Sequence, residues 1–130
     1  LARAVAVARD ILAVHTSVGG FARYQNDGYG HTGAAVPGNP WFITTLWLAQ
    51  YEIRQAKSEE ELTDVKITLD WVAKHASEAG ILSEQLNPET GASLSATPLV
   101  WSHAEFVNTL ILYLDKLEEL GVCKSCNPVY

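Results

Sequence analysis

Two helical segments of this chain are apolar around nearly their whole circumference, and the segment between them is apolar along one stripe only. Trp41, Phe42, Ile43, Leu46, Trp47, Leu48, Tyr51 and Ile53 leave the helix over residues 39–56 almost no polar face, so it must be covered on most sides. The segment over residues 98–120 has the same character. Between them, Leu62, Val65, Leu69, Val72 and Ala76 recur at a 3-4-3-4 spacing, with Asp64, Lys66, Asp70 and Lys74 on the other face, which is the pattern of a surface helix. An earlier stripe of Leu1, Val5, Ala8, Ile11 and Leu12 predicts a helix over residues 1–15, ended by Gly19-Gly20. No strand-like alternation competes. The chain is expected to be all-α, with buried and exposed helices alternating.

The boundaries carry their own signals. Asn39 followed by Pro40 predicts an N-cap and a first helical position. Ser58 with Glu61 forms a capping box for the third helix, and Gly80 and Gly121 are expected to end the third and fourth. A short link near Lys57 makes the third helix antiparallel to the second. The fourth then turns back, so the second and fourth point the same way. The long connections over residues 18–38 and 81–97 both lead into those helices and should emerge at one end. Connections of this length exceed the usual helix-to-helix link, which favours a binding role.

Charge and composition exclude several function classes. The formal charge of −6 leaves no basic patch for phosphates or an anionic membrane. No apolar stretch approaches the ~20 residues of a membrane span, and no segment resembles a signal peptide. The 130 residues contain no methionine and open in helical character, so the chain is expected to be a piece of a longer protein. Cys123-x-x-Cys126 is read as a reduced pair in a tail over residues 123–130, since zinc needs four ligands and the redox motif needs a βαβ context. Sparse cysteine points to an intracellular, cytoplasmic protein.

Chemistry-bearing residues gather in the two long connections. The first runs Gly19-Gly-Phe-Ala-Arg-Tyr-Gln-Asn-Asp-Gly-Tyr-Gly-His, matching neither the dinucleotide nor the phosphate-loop glycine spacing. Arg23 either pairs with Asp27 or aims its planar fork at the hydroxyls of a neutral ligand. Tyr24, Tyr29 and Trp41 either stack on a sugar ring or fill the core. In the second connection, Glu84 is a solvated loop carboxylate or a general base that holds a water against a reacting carbon. Ser102-His103 is no nucleophilic pair, because adjacent helical residues do not face each other. His15, His31, His75 and His103 show no ligand spacing, so neither metal nor cofactor is expected. Glu78, Glu89 and Glu105 remain possible second carboxylates.

Four strings, in register over residues 19–107, resemble the glucoamylase family, family 15 of the glycoside hydrolases. They are Gly20-Phe-Ala-Arg-Tyr with Asp27 and Tyr29; Gly38-Asn-Pro-Trp-Phe-Ile-Thr-Thr-Leu-Trp-Leu-Ala; Gly80-Ile-Leu-Ser-Glu-Gln; and Thr97-Pro-Leu-Val-Trp-Ser-His-Ala-Glu-Phe. The resemblance implies a partial (α/α)6 barrel, with about four of its helices over residues 1–122. It implies an inverting hydrolase that releases glucose from non-reducing ends of α-glucans. Glu84 would be its general base, and Arg23, Asp27, Tyr29, Trp41 and Trp101 would contact an α-glucan or oligosaccharide. The family's general acid has no counterpart in these residues. Trehalose or an α-1,6-glucan would use the same machinery, and a non-catalytic, self-associating helical domain is the other reading. Exposed apolar helix faces would then support a homo-oligomer.

Overall fold

The computed structural model describes residues 2–32 and 34–126. Leu1, expected to open the first helix, Gly33 in the first connection, and residues 127–130 of the expected tail lie outside the described residues. Four α-helices dominate: α1 (Ala2–Leu12), α2 (Phe42–Gln55), α3 (Thr63–His75) and α4 (Val100–Glu119), with a 3-10 turn at Glu60–Leu62 before α3. The all-α expectation holds. One departure is a short antiparallel ladder between β1 (Gln85–Leu86) and β2 (Ser93–Leu94).

The apolar stripe of α3 does what its spacing predicts. Leu62, Val65, Leu69 and Val72 are buried and pack with Ala49, Ile53 and Phe42 of α2 into two adjoining clusters, which Phe106 of α4 touches from the other side. Each such side chain contributes roughly 1.5–3 kcal/mol through burial. The capping box expected for α3 is met only in part, ahead of the 3-10 turn, because Glu61 reaches the Lys57 N–H rather than that of Ser58. Ser58 Oγ accepts from the Glu61 N–H at 3.4 Å, while Glu61 Oε2 reaches back to the Lys57 N–H at 2.8 Å.

Helix α4, expected like α2 to be covered on most sides, is not. α2 buries Phe42, Ile43, Thr45, Leu46, Ala49, Gln50 and Ile53. α4 buries only Ser102 and Thr109, leaving Val100, Trp101, Val107 and Leu110 exposed. α2 and α4 pack directly and run the same way: Trp47 meets Trp101, and one turn on Gln50 meets Glu105 and Thr109.

Two boundary expectations and one about the cysteines are corrected. Asn39 does not cap α2. Residues 39–41 are extended, and the Asn39 amide instead donates to Gly30 O at 2.8 Å and Gln85 Oε1 at 2.9 Å. The helix starts after Trp41, whose carbonyl is taken by the Thr45 hydroxyl at 2.7 Å. Gly80 does not end α3 either. The helix stops at His75, and Gly80, at φ +74°, closes a turn with its N–H on Ser77 O at 2.8 Å. Finally, Cys123 and Cys126 are joined as a disulfide rather than left reduced, their Cα atoms 5.9 Å apart and so within bridging reach. Among the described residues no helix is long and apolar enough to cross a membrane.

What positions the functional end is a stitch of single backbone pairings. Ala13 pairs with Phe21, Phe21 with Trp41, and Trp41 with Gln85. Four stretches between residues 13 and 85 are thereby laid side by side at the start of α2.

Candidate active site

Arg23 follows directly on that stitch. Ala22 is fully buried, its N–H on Leu12 O at 2.9 Å, so the next side chain must turn outward. The guanidinium then makes a bidentate pair with Asp27, Nε to Oδ2 and Nη2 to Oδ1 both at 3.0 Å. Asp27 is 1% exposed and also accepts from the Tyr29 N–H at 3.0 Å. Burial opposes its ionisation, but the Arg23 fork and the Tyr29 N–H outweigh it, holding the carboxyl below its ordinary value. The Asp27 bond in turn raises the Arg23 guanidinium further. Three rings surround the guanidinium carbon: Trp41 at 4.4 Å, Tyr24 at 4.9 Å and Tyr29 at 5.3 Å.

Glu84 lies on a strap, residues 82–86, pinned from both sides. The first turn of α4 holds it with Ser102 Oγ donating to Ser83 O at 2.8 Å and His103 Nε2 accepting from the Leu82 N–H at 3.0 Å. This is the use to which the rejected Ser102-His103 pair is put. On the other side the Leu86 N–H bonds Pro40 O at 2.9 Å, and Gln85 is buried against Asn39. Because extended residues alternate in direction, a buried Gln85 leaves Glu84 facing the opposite side. There its Oε2 accepts a short hydrogen bond from Ser95 Oγ, and Ser95 Oγ meets Tyr29 OH at 3.3 Å. Ser95 has φ +63°, a conformation costly for a residue with a Cβ.

Both groups open onto a pocket of about 250 Å³ lined by Arg23, Trp41, Ile43, Thr44, Trp47, Glu84 and Trp101. Of the sequence-predicted residues, Arg23, Trp41, Glu84 and Trp101 are therefore brought together. Tyr29 borders them, its ring 6.2 Å from that of Trp41. Asp27 is not in the lining: it stands behind Arg23 as the ion-pair partner, the simpler of the two sequence readings. A larger, polar cleft of about 560 Å³ lies elsewhere, between residues 74–77 and the 89–93 turn. It contains none of the predicted residues except Glu89, and lacks an aromatic wall, so the smaller pocket is the better site.

Sequence reasoning missed Trp47, Ser95 and the placement of Glu105. Trp47 sits one and a half turns after Trp41 on α2 and read as core, yet it is 45% exposed beside the pocket. Glu105, one turn after Trp101, accepts from the Trp101 indole at 3.1 Å and from Gln50 Nε2 at 2.7 Å. Helical i, i+4 spacing of Trp101 and Glu105 was the available signal. Ser95 had none, because its partner is reached only through the β1–β2 ladder.

Comparison with known proteins places these strings in context. Residues 53–111 match the model of Glycosyl hydrolases family 15. An uncharacterized glycosyl hydrolase of Methanocaldococcus jannaschii is 39% identical over 99 residues, which is 69% of this chain and 15% of that protein. A glucoamylase of a Clostridium species is 37% identical over 92 residues, 65% of this chain and 12% of the relative. The crystal structure of a bacterial glucoamylase complexed with acarbose superposes with a TM-score of 0.68 at 33% identity, over 88% of this chain and 17% of that one. The chain thus spans about a sixth or less of the length of the relatives it matches.

Proposed function

We propose, from this chain's kinship with glycosyl hydrolases family 15, that its pocket is the base-bearing side of a glucoamylase-type active site. The fold, four α-helices with little strand, is part of an (α/α)6 barrel. In this reading residues 1–122 belong to the catalytic domain and the stretch from Cys123 onward is a tail. Arg23, held rigid by Asp27, offers N–H donors to the hydroxyls of a terminal glucose unit. Trp41, Tyr29 and Trp101 supply the aromatic faces against which sugar rings pack. Glu84 takes a proton from the water that attacks the anomeric carbon, while the glycosidic oxygen departs with a proton from a general acid. That acid is not assigned to any residue of this chain. Inversion requires the two carboxyl groups to stand ~6.5–9.5 Å apart with the water between them.

The observation that carries this reading is the meeting of Glu84 and Arg23, from two separate connections, on one aromatic-walled pocket. The substrate is an α-glucan or oligosaccharide, with trehalose and α-1,6-glucans as the alternatives that a substrate panel separates. The test is Glu84→Gln in the full-length protein. Hydrolysis of malto-oligosaccharides should fall by about 10²–10⁴-fold, with the β-anomer formed first by the parent. A parental rate in the variant would sink the assignment. The 130-residue chain by itself is expected to be inactive, and measurable turnover by it would contradict the missing acid.

The exposed apolar face of α4, Val100, Val107 and Leu110, favours a second, compatible reading in which this chain self-associates. Sedimentation showing a monomer across concentrations would remove it.

A further inference from the structure

We infer that Glu105 is a positioning residue that clamps the indoles of Trp101 and Trp47 into a rigid aromatic wall, against which the sugar next to the one held by Arg23 stacks. This rests on the reading of the pocket as a glycosidase site, and it assigns to Glu105 a task separate from acid or base chemistry.

The two tryptophans come from different helices, and each is about half exposed. An exposed indole on a helix surface samples several rotamers, and a stacking wall loses affinity when its rings must be ordered on binding. Here they are ordered beforehand. Glu105 Oε1 accepts from Trp101 Nε1 at 3.1 Å, and its other oxygen accepts from Gln50 Nε2 at 2.7 Å. Trp47 helps keep the same carboxylate ionised, and its ring meets that of Trp101 edge to face with centroids 5.7 Å apart. Gln50 is itself buried and braced, donating also to Thr109 Oγ1 at 3.0 Å, and the Thr109 hydroxyl donates to Glu105 O at 2.7 Å. The carboxylate is thus tied to both helices, and through it so is Trp101, with Trp47 packed against the Trp101 ring.

The electrostatics agree with that geometry. Burial opposes the charge, yet hydrogen bonds from Gln50, Trp101, Trp47 and Asn108 hold Glu105 below the ordinary carboxylate range. A carboxylate kept ionised by donors on every side makes a poor general acid at neutral pH. It makes a good anchor.

A ¹⁵N–¹H spectrum of the parent chain across acid pH tests the clamp without any need for activity. The Trp101 indole signal should shift with a single titration below the ordinary carboxylate range, with Trp47 following the same curve, whereas the Trp71 indole, bonded to Val18 O and set against the His75 ring, should not follow that curve. An unresponsive Trp101 signal would overturn the clamp. The role in binding is read in the full-length enzyme. Glu105→Ala should raise KM for maltotetraose by about threefold to tenfold, the scale of one aromatic contact, with a smaller change in kcat, and Glu105→Gln should recover part of it. An unchanged KM in a folded Glu105→Ala variant would refute the wall. A parent enzyme that hydrolyses no glucan would instead defeat the functional reading, while leaving the spectroscopic result to stand by itself.

Discussion

Arg23 and Asp27 are joined by two parallel hydrogen bonds of 3.0 Å, the aspartate buried and the arginine reaching from it toward the pocket. Nε and Nη2 are committed to this pair, and Nη2 also meets Tyr24 OH at 3.4 Å. The remaining nitrogen, Nη1, makes no hydrogen bond within the described structure and is the group available to a ligand. A planar fork held along one edge presents its other edge in a fixed direction, which a lysine at the same place would not do.

Removing Arg23 should cost more stability than its half-exposed position suggests. Arg23→Ala strands a buried carboxylate, and breaking such a pair typically costs about 3–5 kcal/mol. Partial exposure of the arginine places the expected loss near the lower end. Urea denaturation of the variant beside Asp27→Asn reads it. If Arg23→Ala were as stable as the parent, the pair would be no more than a surface contact.

The acid limb of stability should depend on Asp27. Its folded pKa lies below the unfolded value near 3.8, so the pair contributes fully above that value and is lost as pH falls through the lower, folded one. Glu105, also lowered, acts with the same sign. Glu52 acts oppositely: burial raises it despite its ion pair with Arg9, so its contribution is present below about 4.5 and fades as pH rises through the raised value. Denaturation midpoints against pH should therefore fall more gently on the acid side in Asp27→Asn than in the parent. Equal slopes would exclude Asp27 as the source.

Gly38 is expected to matter through Asp27. A Cβ built at Gly38 would lie 2.9 Å from the Asp27 Cβ and 3.2 Å from that of Ala22, and neither neighbour is a flexible chain end. Gly38→Ala should cost about 1–3 kcal/mol by overpacking and displace the Arg23 fork. Thermal melts and the ligand affinity of the variant check both parts. A stable variant with parental affinity would show that the loop gives way without disturbing the pair.

Ser95 separates strain from hydrogen bonding. At φ +63° its Cβ costs of the order of 1 kcal/mol, which Gly relieves and Ala does not. Both substitutions remove the hydroxyl that bonds Glu84. Ser95→Gly should thus be near neutral in stability and Ser95→Ala destabilised by about 1 kcal/mol, while both weaken turnover in the full-length enzyme by loosening Glu84. The melting temperatures and kcat of the two variants, measured together, decide it.

The helices were legible because their signals are local. The 3-4-3-4 stripe of α3 and the nearly unbroken apolar surface of α2 each follow from burial at a 3.6-residue period, and the parity of short and long links placed both connections at one end. Arg23, Trp41, Glu84 and Trp101 accordingly came together as expected. Asn39 misled because Asn-Pro is a helix-start signal only where the Asn side chain is free to turn its oxygen to the helix N–H groups. Here the Asn39 NH2 group is anchored on Gly30 O and Gln85 Oε1, which holds the side chain on the loop side and leaves its oxygen buried without a partner, and the helix starts after Trp41 instead.

By itself, then, the sequence determined the fold class, the order and direction of the helices and the end of the molecule where the chemistry gathers. Periodicity and linker length depend only on near neighbours. Tertiary structure decided what each polar group faces: Arg23 on Asp27, Ser95 on Glu84, Glu105 under Trp101 beside Trp47. Those choices rest on single pairings such as Phe21 with Trp41 and Trp41 with Gln85, which bring together stretches whose separation along the chain leaves no periodic trace.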